Sequence, residues 1–98
     1  MSLQFIGNAG VYLPDRDAVK VTAIAGDRAV DCYITRSALE AIGCAPQDQA
    51  RAILDKFEAR RIDCEIVAMV KFRRATSRPP AIELTAADFV VLDRPHAA

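Results

Sequence analysis

The sequence has no tryptophan, a single histidine and no excess of charge of either sign. Its 13 basic and 13 acidic side chains cancel, so no overall field draws the protein towards nucleic acid or an anionic membrane. No apolar run approaches the roughly 20 residues of a membrane-spanning helix, and no secretory signal opens the chain. These absences predict a cytoplasmic protein with no membrane partner.

Chemically reactive side chains are also scarce. The three cysteines, Cys32, Cys44 and Cys64, are odd in number and far apart, which argues against a disulfide framework and indicates a reducing compartment. Zinc ligands usually come in close pairs, and these do not. The only histidine, His96, lies near the C-terminus beside Pro95, away from any nucleophile that it would need to activate. We therefore expect no metal, no cofactor and no enzyme activity.

Length and composition predict one small globular domain. Of the 98 residues, 52% are apolar and 27% are charged, a balance typical of a folded chain with a thin core. Near the C-terminus, Thr85 and Asp88 predict a capping-box-like turn. We expect residues 89–92 to pack back on the core and residues 93–98 to form a frayed tail.

The clearest local signal is a β-hairpin with a two-residue turn at Gly26-Asp27, where a glycine suits a positive φ. The turn fixes the pairing of the strands, and all six apolar side chains that it brings opposite one another point to the same face. A slip of one residue would invert this pattern, so burial locks the register. The predicted pairs are Val19 with Ile34, Val21 with Cys32, and Ala23 with Val30.

Two further segments are predicted to join this hairpin, which spans residues 18–36, in one antiparallel sheet. Short apolar runs at 3–6 and 11–13 predict an N-terminal strand. The alternation of apolar and polar residues near 81–85 predicts a last strand, preceded by two prolines that force an extended chain.

Helices are predicted between the hairpin and the last strand. Ser37 and Glu40 form a capping box, which predicts a helix over 37–43. Pro46 suits the first turn of a second helix, over 46–60. The sequence thus predicts an α+β fold in which helices cover one face of a small antiparallel sheet.

Residues 63–75 are compatible with a helix or, from their β-branched content, with a strand. A helix is favoured because Asp63 can serve as its N-cap, with Ile62 and Val67 as a hydrophobic staple. The stripe of this helix would lie opposite that of the preceding one, so we expect a bend or turn near residues 60–63. Its predicted apolar stripe consists of Ile62, Ile66, Met69 and Val70.

Charge is uneven in one segment only. Residues 60–78 carry six basic side chains against two acidic ones, a net charge of +4. Guanidinium groups can bind phosphates there, although basic residues also favour the C-terminal end of a helix and then serve only as a solvated surface. The candidate anion or nucleic-acid contacts are Arg60, Arg61, Lys71, Arg73, Arg74 and Arg78.

Several stretches together resemble a bacterial family, the domain of unknown function 1488. They are 2–5, 32–35, 37–40, 57–58 and 84–89. The resemblance spans most of the chain and implies a compact α+β fold in a bacterial cytosol. It implies no catalytic residues, because its motifs are caps, turns and core positions.

Three functions remain open at this point. The first is a non-enzymatic interaction or regulatory module that associates with itself, since the edges of a small sheet must be covered or paired. The second is a nucleic-acid-binding regulator that uses the basic segment. The third, an enzyme, has the least support because no acid, base and nucleophile converge in the pattern.

Overall fold

The computed structural model describes residues 2–75, 77 and 79–90. A five-stranded sheet carries three α-helices and a short 3-10 helix. The strands are β1 (Leu3–Phe5), β2 (Val11–Leu13), β3 (Ala18–Ala25), β4 (Arg28–Thr35) and β5 (Ala81–Leu84). The helices are α1 (Arg36–Ala41), α2 (Ala50–Ala59), α3 (Arg61–Arg74) and the 3-10 helix Ala86–Phe89.

The predicted hairpin is confirmed in every pair. β3 and β4 run antiparallel from Ala18 opposite Thr35 to Ala25 opposite Arg28, and Gly26 in the turn has a φ of 67°. The six apolar side chains predicted to share a face are at most 2% exposed. The alternate side chains of both strands are partly exposed or exposed, apart from Ala18. One face of the hairpin therefore forms the floor of the core, and the helices cover it.

The N-terminal strand is also confirmed, in two pieces. β1 and β2 both pair antiparallel with β3, so together they form one edge of the sheet. The chain leaves the sheet between them, where Gly7 has a φ of 79° that other residues rarely adopt.

The last strand forms where it was predicted but runs in the opposite direction. β5 pairs parallel with β4, with Cys32 opposite Ile82, so the sheet is mixed and not wholly antiparallel. The reason is the connection: α1, α2 and α3 lie between the two strands. A crossover through helices returns the chain to the end of the sheet where β4 began.

The predicted cap of α1 is wrong. The N-cap is Thr35 and the helix spans Arg36–Ala41, not 37–43. Thr35 closes β4, and its hydroxyl donates to the carbonyl of Leu84 at 2.6 Å. The Ser37 hydroxyl instead accepts the backbone N–H of Ala86 at 3.1 Å, and so ties the start of α1 to the 3-10 helix.

The predicted start of α2 is also wrong, by four residues. Pro46 lies in a turn before the helix, which begins at Ala50 and ends at Ala59. The Asp48 carboxylate closes this turn, because it accepts the backbone N–H of Ala45 at 2.8 Å and the Lys56 ammonium at 2.7 Å. These bonds hold the chain in a turn at the position where Pro46, taken alone, predicts the start of a helix.

α3 is a helix, as predicted, and a break at Arg60 separates it from α2. Asp63 lies inside its first turn and is not the N-cap. Ile62 is 71% exposed, so no hydrophobic staple forms. Of the predicted apolar stripe, Ile62 and Ile66 are exposed, Val70 is half-buried and Met69 packs against the edge of the core. The residues that α3 buries fully are instead Cys64, Val67, Ala68 and Phe72.

The capping-box-like turn at Thr85 and Asp88 is confirmed, since the Asp88 carboxylate accepts the backbone N–H of Thr85 at 2.8 Å. Phe89 packs into the core at 3% exposure, as predicted, but Val90 is 55% exposed, so the predicted packing is wrong at that residue. The predicted packing of residues 91–92 and the predicted tail 93–98 lie outside the described residues. No helix in the described part of the chain has the length and apolar character needed to cross a bilayer.

Candidate functional site

The two basic residues at the start of α3 are already paired with acids. Arg60 donates to the Asp63 carboxylate at 2.6 Å. Arg61 lies between Glu58, at 2.8 Å, and Glu65, at 2.9 Å, and its side chain is only 15% exposed. Arg61 also donates to the backbone carbonyl of Asn8, which anchors the loop between β1 and β2 on the helix. These arginines have a structural role, and the i, i+3 and i, i+4 spacing of the acids from them is a sequence signal that could have predicted it.

The basic residues at the other end of α3 are less constrained. Lys71 contacts the Asp88 carboxylate at 3.0 Å and donates to the backbone carbonyl of Glu83. Arg73 and Arg74 are exposed and, within the described residues, have no acidic partner. Arg78 lies outside the described residues.

The five described members of the basic set do not share a face. At about 1.5 Å per residue, Arg61 and Lys71 are about 15 Å apart along the helix axis. At about 100° per residue, Lys71 and Arg73 point to nearly opposite sides. Of these five, only Arg73 and Arg74 lack an acidic partner among the described residues, while Arg60 is exposed and Lys71 partly exposed but both are ion-paired.

The three thiols are buried and uncharged. Burial raises the pKa of Cys32 and of Cys64 to about 12, and it also raises the pKa of Cys44. Thiolates are the reactive form of cysteine, so these groups are poor nucleophiles in the folded protein. Among the described residues, no three histidine, cysteine or acidic side chains cluster closely enough to hold a metal ion.

One polar cluster joins three parts of the chain. The Tyr12 hydroxyl donates to the Asp17 carboxylate at 2.6 Å, and the Arg36 guanidinium contacts the same carboxylate at 3.0 Å. These bonds lower the pKa of Asp17 below its usual value. Arg36 also donates to the backbone carbonyls of Ala45 and Asp48. The cluster fixes the turn after β2 and the turn before α2 to the start of α1, which is a structural role.

The most unusual surface feature is apolar. Ile62, Ile66 and Val70 recur every four residues along α3, on the side away from the core. Ile62 is 71% exposed and Ile66 is 38% exposed. Val70 is half-buried. Neighbouring exposed aliphatic side chains, such as Ile62 and Ile66, are a common feature of surfaces that bind a partner. We call these three residues the α3 stripe.

A groove runs beside the α3 stripe, between α3 and the 3-10 helix. It has a volume of about 170 Å³ and a mostly apolar lining. Lys71 and Asp88, which are ion-paired, lie at its polar side. Its other lining residues are Ile66, Val67, Val70, Arg74 and Ala87.

The α3 stripe was missed as a surface because its large side chains resemble a core face. A second, smaller stripe on the same helix was available in the sequence as Cys64, Val67, Ala68 and Phe72 at helical spacing. Two apolar stripes on one helix are the sequence signal that the choice of buried face is open.

The comparisons with known proteins give a family and a fold. The chain matches the family model described as Protein of unknown function (DUF1488) over residues 3–84. No curated protein matches it. The fold is similar to the crystal structure of a protein of unknown function from the DUF1488 family of Shewanella loihica PV-4, with a TM-score of 0.68 and 23% identity, covering 85% of this chain and 91% of that one. Since the family model matches most of the chain, the protein belongs to the DUF1488 family.

Proposed function

We propose that this protein is a small non-enzymatic interaction module that associates with itself through the α3 stripe. The observation that carries the proposal is the exposure of Ile62 and Ile66 on the side of α3 that the fold leaves uncovered. Burial of apolar surface contributes about 25 cal/mol per Å², so covering this row would favour association.

Binding is favoured over catalysis by the state of the reactive side chains. The thiols of Cys32 and Cys64 are at most 2% exposed. The part-buried polar cluster around Asp17 and Arg36 is satisfied by contacts within the chain. Charged groups that are already bonded within the chain are not free to bind a substrate.

The experiment is sedimentation velocity or size-exclusion chromatography with light scattering over a concentration series. The wild-type protein is expected to shift from monomer to dimer as its concentration rises. Ile66→Lys is expected to weaken self-association at least about tenfold, because a buried unpaired ammonium is strongly unfavourable. A wild-type protein that stays monomeric at the highest concentration would refute the proposal.

The matched control is Val11→Lys. Val11 is 54% exposed on β2, in the sheet and away from α3, so the same kind of substitution is made on another exposed aliphatic residue. It should leave self-association unchanged. Circular dichroism and thermal unfolding of both variants would show that each keeps the fold.

A nucleic-acid-binding role is the second candidate, and Arg73 and Arg74 favour it as adjacent exposed guanidiniums. Phosphate contacts must make the affinity fall steeply with salt. A salt titration of DNA and RNA binding, by wild type and by the double variant Arg73→Ala, Arg74→Ala, tests it. Equal binding by both proteins, or no binding by the wild type, would exclude this role.

A further inference from the structure

We infer that the partner on the α3 stripe is a second copy of this chain whose α3 lies antiparallel, with Asp63 of each copy facing Arg74 of the other. This inference rests on the proposed self-association and specifies its geometry. It is drawn from the order of charges along α3, from the rotation of the stripe and from the position of the groove.

The two ends of α3 differ in charge: the first end holds the acidic residues Asp63 and Glu65 together with paired arginines, and the last end holds basic residues only. Asp63 and Glu65 lie in the first turns, where Arg60 and Arg61 are paired with them and with Glu58. The last turn holds Lys71, Arg73 and Arg74, and only Lys71 of these has an acidic partner among the described residues. A parallel second copy would bring the two basic ends together, whereas an antiparallel copy brings each basic end next to the end that holds Asp63 and Glu65.

The spacing of the stripe fits this arrangement. In an antiparallel pair centred at position 68, Ile66 lies at the level of Val70 of the partner subunit, and Ile62 lies at the level of its positions 73–74. Each aliphatic side chain thus meets another or enters the partner's groove. The contact is isologous, because the same surface serves both copies, and so it closes as a dimer.

The charged pair lies on the same flank as the groove. At about 100° per residue, Asp63 and Arg74 lie about 60° and 80° to one side of the centre of the stripe. Residues on the same flank of two antiparallel helices face each other. Position 63 lies five residues before the centre at position 68, and position 74 lies six residues after it. In the antiparallel pair, Asp63 therefore comes opposite Arg74 of the partner subunit.

Charge reversal tests this geometry in the full-length protein. Asp63→Arg places two positive groups opposite each other at both ends of the dimer, and Arg74→Glu places two negative groups there. Each single variant is expected to weaken self-association about tenfold, since two favourable pairs become two repulsive ones. The double variant, Asp63→Arg with Arg74→Glu, restores opposite charges and should recover the wild-type dissociation constant.

A charge-matched control separates this effect from net charge. Arg51 is exposed on α2, and Arg51→Glu changes the net charge exactly as Arg74→Glu does. It should leave the dissociation constant unchanged. Thermal unfolding is measured for each variant, because Asp63→Arg also removes the Arg60–Asp63 pair.

The outcomes separate this inference from the proposed function. A monomeric wild type would refute both, and the α3 stripe would then have a different occupant. Self-association that is lost in Ile66→Lys but not rescued in the double charge variant would keep the function and overturn the antiparallel geometry. Self-association that is insensitive to both Ile66→Lys and the charge variants would move the interface to another surface.

Discussion

Gly10 lies directly against the ring of Phe57. A Cβ atom placed on Gly10 would be 2.9 Å from Cε2 of Phe57 and 2.9 Å from Cγ1 of Val19. Phe57 and Val19 are at most 1% exposed. Their side chains, an aromatic ring and a short β-branched group, cannot easily move aside. The loop between β1 and β2 can therefore close over α2 only because position 10 has no side chain.

We expect Gly10→Ala to destabilise the protein by about 1–3 kcal/mol, the usual cost of overpacking a core. Urea unfolding measures this change, and Ala9→Ser at the adjacent exposed position is the control. If Gly10→Ala unfolded at the wild-type urea concentration, the loop would have to be free to move away from the Phe57 ring.

The hairpin was predictable because everything that determines it is local. The turn at Gly26 sets the register, and one choice of register buries all six apolar side chains together. The pairing of these two neighbouring strands therefore does not depend on any other part of the chain. The direction of β5 is different, because a strand of four alternating residues looks the same in either direction. Only the crossover through the helices determines that it is parallel to β4.

The α3 stripe could not be recognised as a surface from the sequence, because α3 has two apolar stripes and either could face the core. The larger side chains of Ile62 and Ile66 favoured the wrong face, although the helix itself was correctly predicted. α3 packs against β1 and β5, and its buried face includes the small residues Cys64 and Ala68, which are at most 2% exposed. Small side chains let a helix approach a sheet closely, and this tertiary choice overrides the hydrophobicity of the alternative stripe.

The turn of the hairpin offers a second prediction. Gly26 has a φ of 67°, in the left-handed region that β-branched residues avoid. We expect Gly26→Val to lower the free energy of unfolding by about 1–2 kcal/mol. Gly26→Asn should cost clearly less, because asparagine tolerates this conformation. The position is exposed, so equal losses for the two variants would show that backbone strain is not the cause.

Arg36 gives a third prediction, because it connects three segments that are distant in sequence. Its side chain contacts the Asp17 carboxylate and two backbone carbonyls, and it is 23% exposed. Each hydrogen bond to a charged group contributes about 1.5–3 kcal/mol to the free energy of unfolding. We expect Arg36→Ala to destabilise the protein by about 2 kcal/mol in urea unfolding.

Arg36→Lys is the informative control for that measurement. It keeps the positive charge but cannot reach the Asp17 carboxylate and the carbonyls of Ala45 and Asp48 together. It should recover less than half of the loss. Full recovery would mean that charge alone is sufficient and that the fork of hydrogen bonds contributes little.

The buried thiols predict a loss of stability in alkali. Burial raises the pKa of Cys32 and of Cys64 from 9.0 to about 12 in the folded state. Above pH 9 the unfolded chain loses these two protons while the folded protein keeps them, so the unfolded state is favoured. The stabilisation is fully present below the unfolded-state pKa and is lost as pH rises towards about 12. The slope is up to about 1.4 kcal/mol per pH unit for each thiol.

Urea unfolding at a series of alkaline pH values measures that slope, with the double variant Cys32→Ala, Cys64→Ala as the comparison. The variant is expected to be less stable at neutral pH because it leaves space in the core. Its stability should nevertheless fall less steeply above pH 9, since two of the titrating groups are gone. Parallel curves for the two proteins would show that other groups govern the alkaline transition and that the Cys32 and Cys64 thiols ionise alike in the folded and unfolded states.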